Sequence, residues 1–132
     1  MRKLSKNFLA CEFVCHCGKC PYSDPETVPI DSRLIQALQI ARDSLGAPIT
    51  ITSGLRCPEH NKKVGGVANS YHTKGEAADL RAGNMTRLFE VLTEIKLLEY
   101  IEVHDNYIHV DIGKKRYRRI RDLRTVKPSR EK

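Results

Sequence analysis

A chain of 132 residues with 40% hydrophobic and 30% charged residues suits one modest globular core, which excludes a disordered polymer. No apolar run approaches the ~20 residues that span a bilayer, and the first eleven residues, basic and ending in Leu9-Ala10-Cys11, fall short of the ~7–15-residue apolar stretch of an export signal. The net charge of +7 sits at the end of the chain: residues 113–132 hold ten Lys and Arg against Asp122 and Glu131, and the rest sums to −1. Past a cysteine-rich stretch at residues 11–20, the elements alternate in an α+β manner. Asp31 is placed to cap a helix in which Leu34, Leu38, Ala41 and Leu45 recur until Gly46 and Pro48 end it. The β-branched run Ile49–Ser53 reads as a strand. Pro58 to Val64 reads as a short helix before a Gly65-Gly66 turn, and Glu76 to Arg81 as a strand. Asn84 caps a second long helix whose buried stripe is Leu88, Val91, Leu92, Ile95 and Leu98. Two final strands, Tyr100–His104 and Tyr107–Ile112, flank Asp105-Asn106 as a tight hairpin.

His72, Asp79 and His109 make a two-imidazole, one-carboxylate set, the ligand chemistry of a catalytic zinc that keeps a fourth position open. Gly75, Ala77 and Ala78 let the backbone pass close beneath such an ion. On spacing alone, a loop histidine and a turn aspartate compete with this reading, because no HExxH-type helix fixes the residues. Side chains alternate along a strand, so Tyr107, His109 and Asp111 share one face, and Ile108, Val110 and Ile112 the other. The aliphatic face belongs to the core, which turns His109 toward a cleft. A two-residue hairpin loop then sets His104 opposite Tyr107 and Glu102 opposite His109.

The motifs Ser53-Gly54-Leu55-Arg56, Val64-Gly65-Gly66-Val67-Ala68-Asn69-Ser70-Tyr71-His72, Gly75-x-Ala77-x-Asp79 and Ile108-His109-Val110-Asp111 resemble, in this order, the zinc D-alanyl-D-alanine carboxypeptidase family. Those are cell-wall peptidases of bacteria and phages, in the wider group that holds lysostaphin and the hedgehog domain. The resemblance runs from about Leu4 to about Tyr117. It implies a small antiparallel sheet bearing a zinc cleft and flanked by helices, with one catalytic zinc on His72, Asp79 and His109. It also implies hydrolysis of peptide bonds in peptidoglycan stem peptides or cross-links, by a monomer with no specific nucleic-acid or membrane partner. One branch of the wider group carries its general base three residues before the last histidine ligand; that position here is Asn106, which cannot take a proton. The carboxypeptidase branch has a histidine five residues before it, so His104 is the expected base and Glu102 the alternative. Arg56 falls where the family has a substrate-facing arginine, a fork of donors suited to a terminal carboxylate or an oxyanion. Ser70 is expected to help position substrate, and Asp111 to orient an imidazole without closing the metal. A non-cutting wall-binding or phage structural module on the same fold is the alternative. By analogy, synthesis in the cytoplasm followed by release onto the wall fits a phage or prophage lysis enzyme.

Cys11, Cys15, Cys17 and Cys20 crowd ten residues around His16, and Cys57 follows Arg56. Cys-x-Cys-x-x-Cys resembles a structural zinc knuckle whose fourth ligand is Cys11, His16 or Cys57. Free thiols, or disulfides outside the cytoplasm, are the alternatives. The domain expectation is a single peptidase domain over 1–117 and a basic tail over 118–132. The tail reads first as a solvated terminus, although its charge also suits an acidic polymer.

Overall fold

The structure, a computed structural model, describes residues 1–125. Helix α1 (Ser32–Leu45) starts where the Asp31 carboxylate accepts the Arg33 backbone N–H at 2.8 Å. It stops at Gly46, whose φ of 68° is left-handed and whose N–H reaches the Arg42 carbonyl. Strand β1 (Thr50–Ser53), helix α2 (Pro58–Lys63), strand β2 (Ala77–Arg81) and helix α3 (Met85–Thr93) follow, then strands β3 (Tyr100–Val103), β4 (Ile108–Asp111) and β5 (Arg119–Asp122).

The strands form one sheet in the order β1-β2-β4-β3-β5. Helices α1 and α3 pack against each other and cover one face of it. Leu34, Leu38, Leu88 and Leu92 meet Leu80, Ile101, Ile108 and Val110 there, all fully buried, and each such side chain contributes about 1.5–3 kcal/mol. Alternation sends the remaining side chains of these strands to the opposite face.

Two expectations are corrected. The sheet is mixed: its first three pairings are antiparallel, but β5 runs parallel to β3. Because β4 is antiparallel to β3, the chain leaves β4 beside the start of β3, and can continue along β3's free edge only in the same direction. The first part of the expected tail is therefore an edge strand, while residues 126–132 lie outside the described residues. Helix α3 is also shorter than its apolar stripe. After Thr93 the chain tightens, with the N–H of Ile95 on Leu92 O and that of Leu98 on Ile95 O, so Ile95 and Leu98 are buried without being helical. The guanidinium of Arg118 satisfies the freed carbonyls of Thr93, Ile95 and Leu98 at 2.8–3.0 Å. Among the described residues no helix is long and apolar enough to cross a membrane.

Candidate metal centre

The open face of the sheet carries one polar row, a single residue from each strand. Ser53 pairs with Asp79, Asp79 with His109, His109 with Glu102 and Glu102 with Arg121. Directly opposed residues on neighbouring strands hold their side chains side by side, so the register alone sets the Asp79 carboxylate against the His109 ring. A register shift between Ile51 and Ser53 sets Thr52 apart, and its hydroxyl bonds the Asp79 carbonyl at 3.2 Å.

His72 comes from outside the sheet, on a single 3-10 turn (Tyr71–Lys74). The Ser70 hydroxyl caps this turn by accepting the His72 N–H, and the Arg56 N–H ties the His72 carbonyl to the exit of β1 at 2.9 Å. Gly75 closes the turn with φ 72°, and a Cβ there would collide with the Pro29 carbonyl. The Gly75 carbonyl in turn accepts the Asp31 N–H at 3.0 Å, locking the turn to the start of α1.

The two imidazoles share one carboxylate oxygen. His72 Nε2 lies 3.2 Å and His109 Nδ1 3.1 Å from Asp79 Oδ1. The outer nitrogens are engaged elsewhere: His72 Nδ1–H donates to the Gly54 carbonyl at 2.7 Å, and His109 Nε2–H to Asp111 Oδ2 at 2.8 Å. Those bonds fix the tautomers that leave the inner nitrogens with lone pairs pointing at Asp79. Two lone pairs and an anionic oxygen at one point call for a positive charge between them. Burial raises the Asp79 carboxyl, but where that positive charge comes as protons on the rings, hydrogen bonds from His109 and His72 hold it well below the usual carboxylate range. Burial likewise opposes charge on His109, while Asp111 and Asp79 push it up to about 9.

The donor set fits zinc. Bonds of ~2.0–2.1 Å at tetrahedral angles separate neighbouring donors by about 3.3 Å, close to the separations found here, and the three donor atoms lie within 4.8 Å of one another. Asp111 is 2% exposed and also takes the Lys115 ammonium on its other oxygen, which aims it at the outer side of His109.

His72, Asp79 and His109 line a cleft of about 420 Å³ together with Arg56, Ser70, Tyr100, Glu102 and Tyr107. The Arg56 guanidinium spans Ser53 Oγ, Asn61 Oδ1 and Asp79 Oδ2 at 3.1–3.2 Å. Glu102 stands beside His109 with one oxygen on the Tyr100 hydroxyl and the other 2.6 Å from His104 Nε2. Burial raises the Glu102 carboxyl, but the Tyr100 and His104 hydrogen bonds outweigh it and keep the group below its ordinary value. His104 itself sits behind Glu102, stacked on the Tyr107 ring with centroids 4.4 Å apart, and is not among the residues lining the cleft.

Sequence reasoning passed over Asn61 and Tyr100. Asn61 is 4% exposed and joins Arg56 to the Val67 carbonyl; a lone amide on the short helix after Arg56-Cys57-Pro58 was its one signal. Tyr100 shares the face of Glu102 by simple alternation, which the same strand pattern could have revealed.

The peptidase M15 family matches this chain over residues 4–111. The zinc D-Ala-D-Ala carboxypeptidase of Streptomyces albus G is 48% identical over 48 residues, a stretch that covers 36% of this chain and 19% of that protein.

Proposed function

The chain belongs to the peptidase M15 family, and from that membership we propose that it is a zinc-dependent peptidase that hydrolyses peptide bonds in peptidoglycan stem peptides or cross-links. The observation that carries this reading is the convergence of His72 Nε2, His109 Nδ1 and Asp79 Oδ1, with both outer nitrogens tied to acceptors. The name of the Streptomyces albus G relative supports zinc and a D-Ala-D-Ala end. His72, Asp79 and His109 would hold the ion, which when bound supplies a Lewis acid that polarises a carbonyl and makes water acidic near neutral pH.

The remaining work falls to the chain's own side chains. Glu102, kept ionised by Tyr100 and His104, accepts a proton from the attacking water and returns it to the leaving amine. Water's oxygen thereby joins the acyl carbon as the C–N bond breaks, and the two products separate as acid and amine. His104 orients the Glu102 carboxylate through their 2.6 Å contact, a closer role for Glu102 than the sequence reading gave it. Arg56 brings a fixed positive charge to the cleft, matched to a C-terminal carboxylate or to the oxyanion of the tetrahedral intermediate. Ser70 shapes the cleft wall while capping the turn that carries His72.

The test pairs zinc content of the purified protein with mass spectrometry of digested peptidoglycan and isolated stem peptides. Released D-alanine identifies a carboxypeptidase, and separated stem peptides an endopeptidase. Zinc lost in His72→Ala but no cleavage of any substrate would overturn the peptidase and leave a wall-binding module.

A further inference from the structure

A second group of donors lies outside this cleft. The sulfurs of Cys15, Cys17, Cys20 and Cys57 all fall within 4.8 Å of one another, although Cys57 is far from the others in sequence. We propose that these four cysteines form a second, structural zinc site that staples the N-terminal segment to the Arg56 corner of the active cleft.

Geometry favours a metal over the alternatives. A tetrahedral ion with zinc–sulfur bonds of ~2.3 Å separates its sulfurs by about 3.8 Å, and Cys17 and Cys57 are 4.0 Å apart. A disulfide needs ~2.05 Å, and pairing two sulfurs would leave the other two pointing at the new bond. The turn between Cys17 and Cys20 contains Gly18 at φ 74°, so the chain can double back and present both sulfurs to one point. Donors aim at the sulfurs: the Cys57 N–H at Cys15 Sγ (3.4 Å) and the His60 N–H at Cys57 Sγ (3.3 Å). Such donors stabilise thiolates. Four thiolates around one divalent ion carry a net negative charge, and Lys19 and Lys63, against the single acid Glu59, line the depression of about 760 Å³ beside the cluster. Cys11 is exposed and stands apart from the group.

The segment also needs such a staple. Among the described residues, the stretch between Phe13 and Ser32 has one 3-10 turn and neither α-helix nor strand. The apolar cluster beneath it has only Ala10, Val28 and Leu55 fully buried, with Leu4, Val14, Tyr22 and Ile30 partly buried around them. A core that small cannot offset the entropy of ordering the segment, and metal binding adds directly to folding free energy. With all four positions filled by protein, the ion would be structural and take no part in hydrolysis. Its effect on the cleft is indirect. Cys57 caps α2, and α2 carries the Asn61 that holds Arg56.

The experiment measures zinc per chain in the purified protein and in the double variant His72→Ala, His109→Ala. Two zincs are expected in the first and one in the second, the remaining ion being released as a mercurial reagent titrates the four thiols other than the exposed Cys11. Cobalt substituted into the double variant should give the intense near-ultraviolet band of thiolate-to-cobalt charge transfer, and Cys11→Ser should leave that band unchanged. Cys20→Ser and Cys57→Ser should each weaken the band by the share of one thiolate, or lose it together with the cobalt; because either variant can misfold, the cobalt spectrum of the otherwise unaltered site decides. A double variant without zinc, a cobalt spectrum lacking the thiolate band, or an intact mass showing two hydrogens lost per cysteine pair would each overturn the proposal.

Discussion

Replacing Asp111 by Asn probes whether the carboxylate behind His109 tunes the metal centre. Asp111 is 2% exposed and accepts His109 Nε2–H at 2.8 Å, with Lys115 on its other oxygen. Asparagine retains an acceptor but loses the charge. Hydrogen bonds to charged groups contribute about 1.5–3 kcal/mol and neutral ones about 0.5–1.5 kcal/mol, so the substitution should cost about 1–1.5 kcal/mol. That difference corresponds to roughly tenfold weaker zinc binding. Asp111→Ala removes the acceptor as well and should approach a loss of about 100-fold, the upper range for partners of metal-bound histidines. Competition with a chromophoric chelator reads the affinity of the zinc whose occupancy disappears in His109→Ala, and thermal unfolding checks that each variant is folded. Lys115→Met keeps the His109 bond and should move the affinity by less than about threefold, well below the change expected for Asp111 itself. An Asp111→Asn protein that is folded and binds this zinc as tightly as the parent would refute the role given to Asp111.

Glu102→Gln should lower turnover on stem peptides about 10²–10⁴-fold with zinc content unchanged, and His104→Ala should cost less; the reverse ordering in steady-state kinetics would make His104 the base. Asp31→Ala removes the cap of α1 and should cost about 0.5–2 kcal/mol at neutral pH in urea unfolding. The Arg33 hydrogen bond lowers the Asp31 carboxyl, so its contribution is full above the unfolded value of ~3.9 and lost as pH falls through the lower folded value. Parent and variant should therefore converge in strong acid, and a constant gap would exclude the ionised carboxylate as the source. Gly75→Ala meets both a left-handed backbone and the Pro29 carbonyl, so the melting midpoint should drop by more than the ~1–2 kcal/mol of backbone strain alone implies, with zinc affinity falling alongside; an unchanged midpoint contradicts this.

Features governed by local chemistry were legible in the sequence. Asp31 and Gly46 bound α1 as read, because capping depends on residues within one turn. The hairpin register Glu102 opposite His109 followed from alternation and a two-residue loop, and the same alternation grouped His109 with Asp111. What escaped depended on distant partners. The end of α3 is set by Arg118, more than twenty residues away, so a continuing apolar stripe misled. Strand β5 has an almost wholly exposed pattern and exists because β3 had a free edge. Alternation placed Glu102 and His104 on one face, but only the stacking of His104 on Tyr107 decides which of the two meets the cleft. Several cations of the basic segment are likewise engaged within the fold, Arg118 on carbonyls, Lys115 on Asp111 and Arg121 on Glu102, which net charge alone could not reveal.

The polar row across the sheet makes the centre a checksum on how the strands are aligned. Asp79 and His109 are neighbours only while β2 and β4 keep their pairing, and a slip of one residue would swing one of them into the aliphatic layer. A misaligned chain would then offer the ion His72 with only one of its two partners, never the complete set. Binding selects the correct alignment from among near-misses of similar apolar burial. Loss of zinc from a variant mutated far from the cleft would thus report that the strands had shifted against one another.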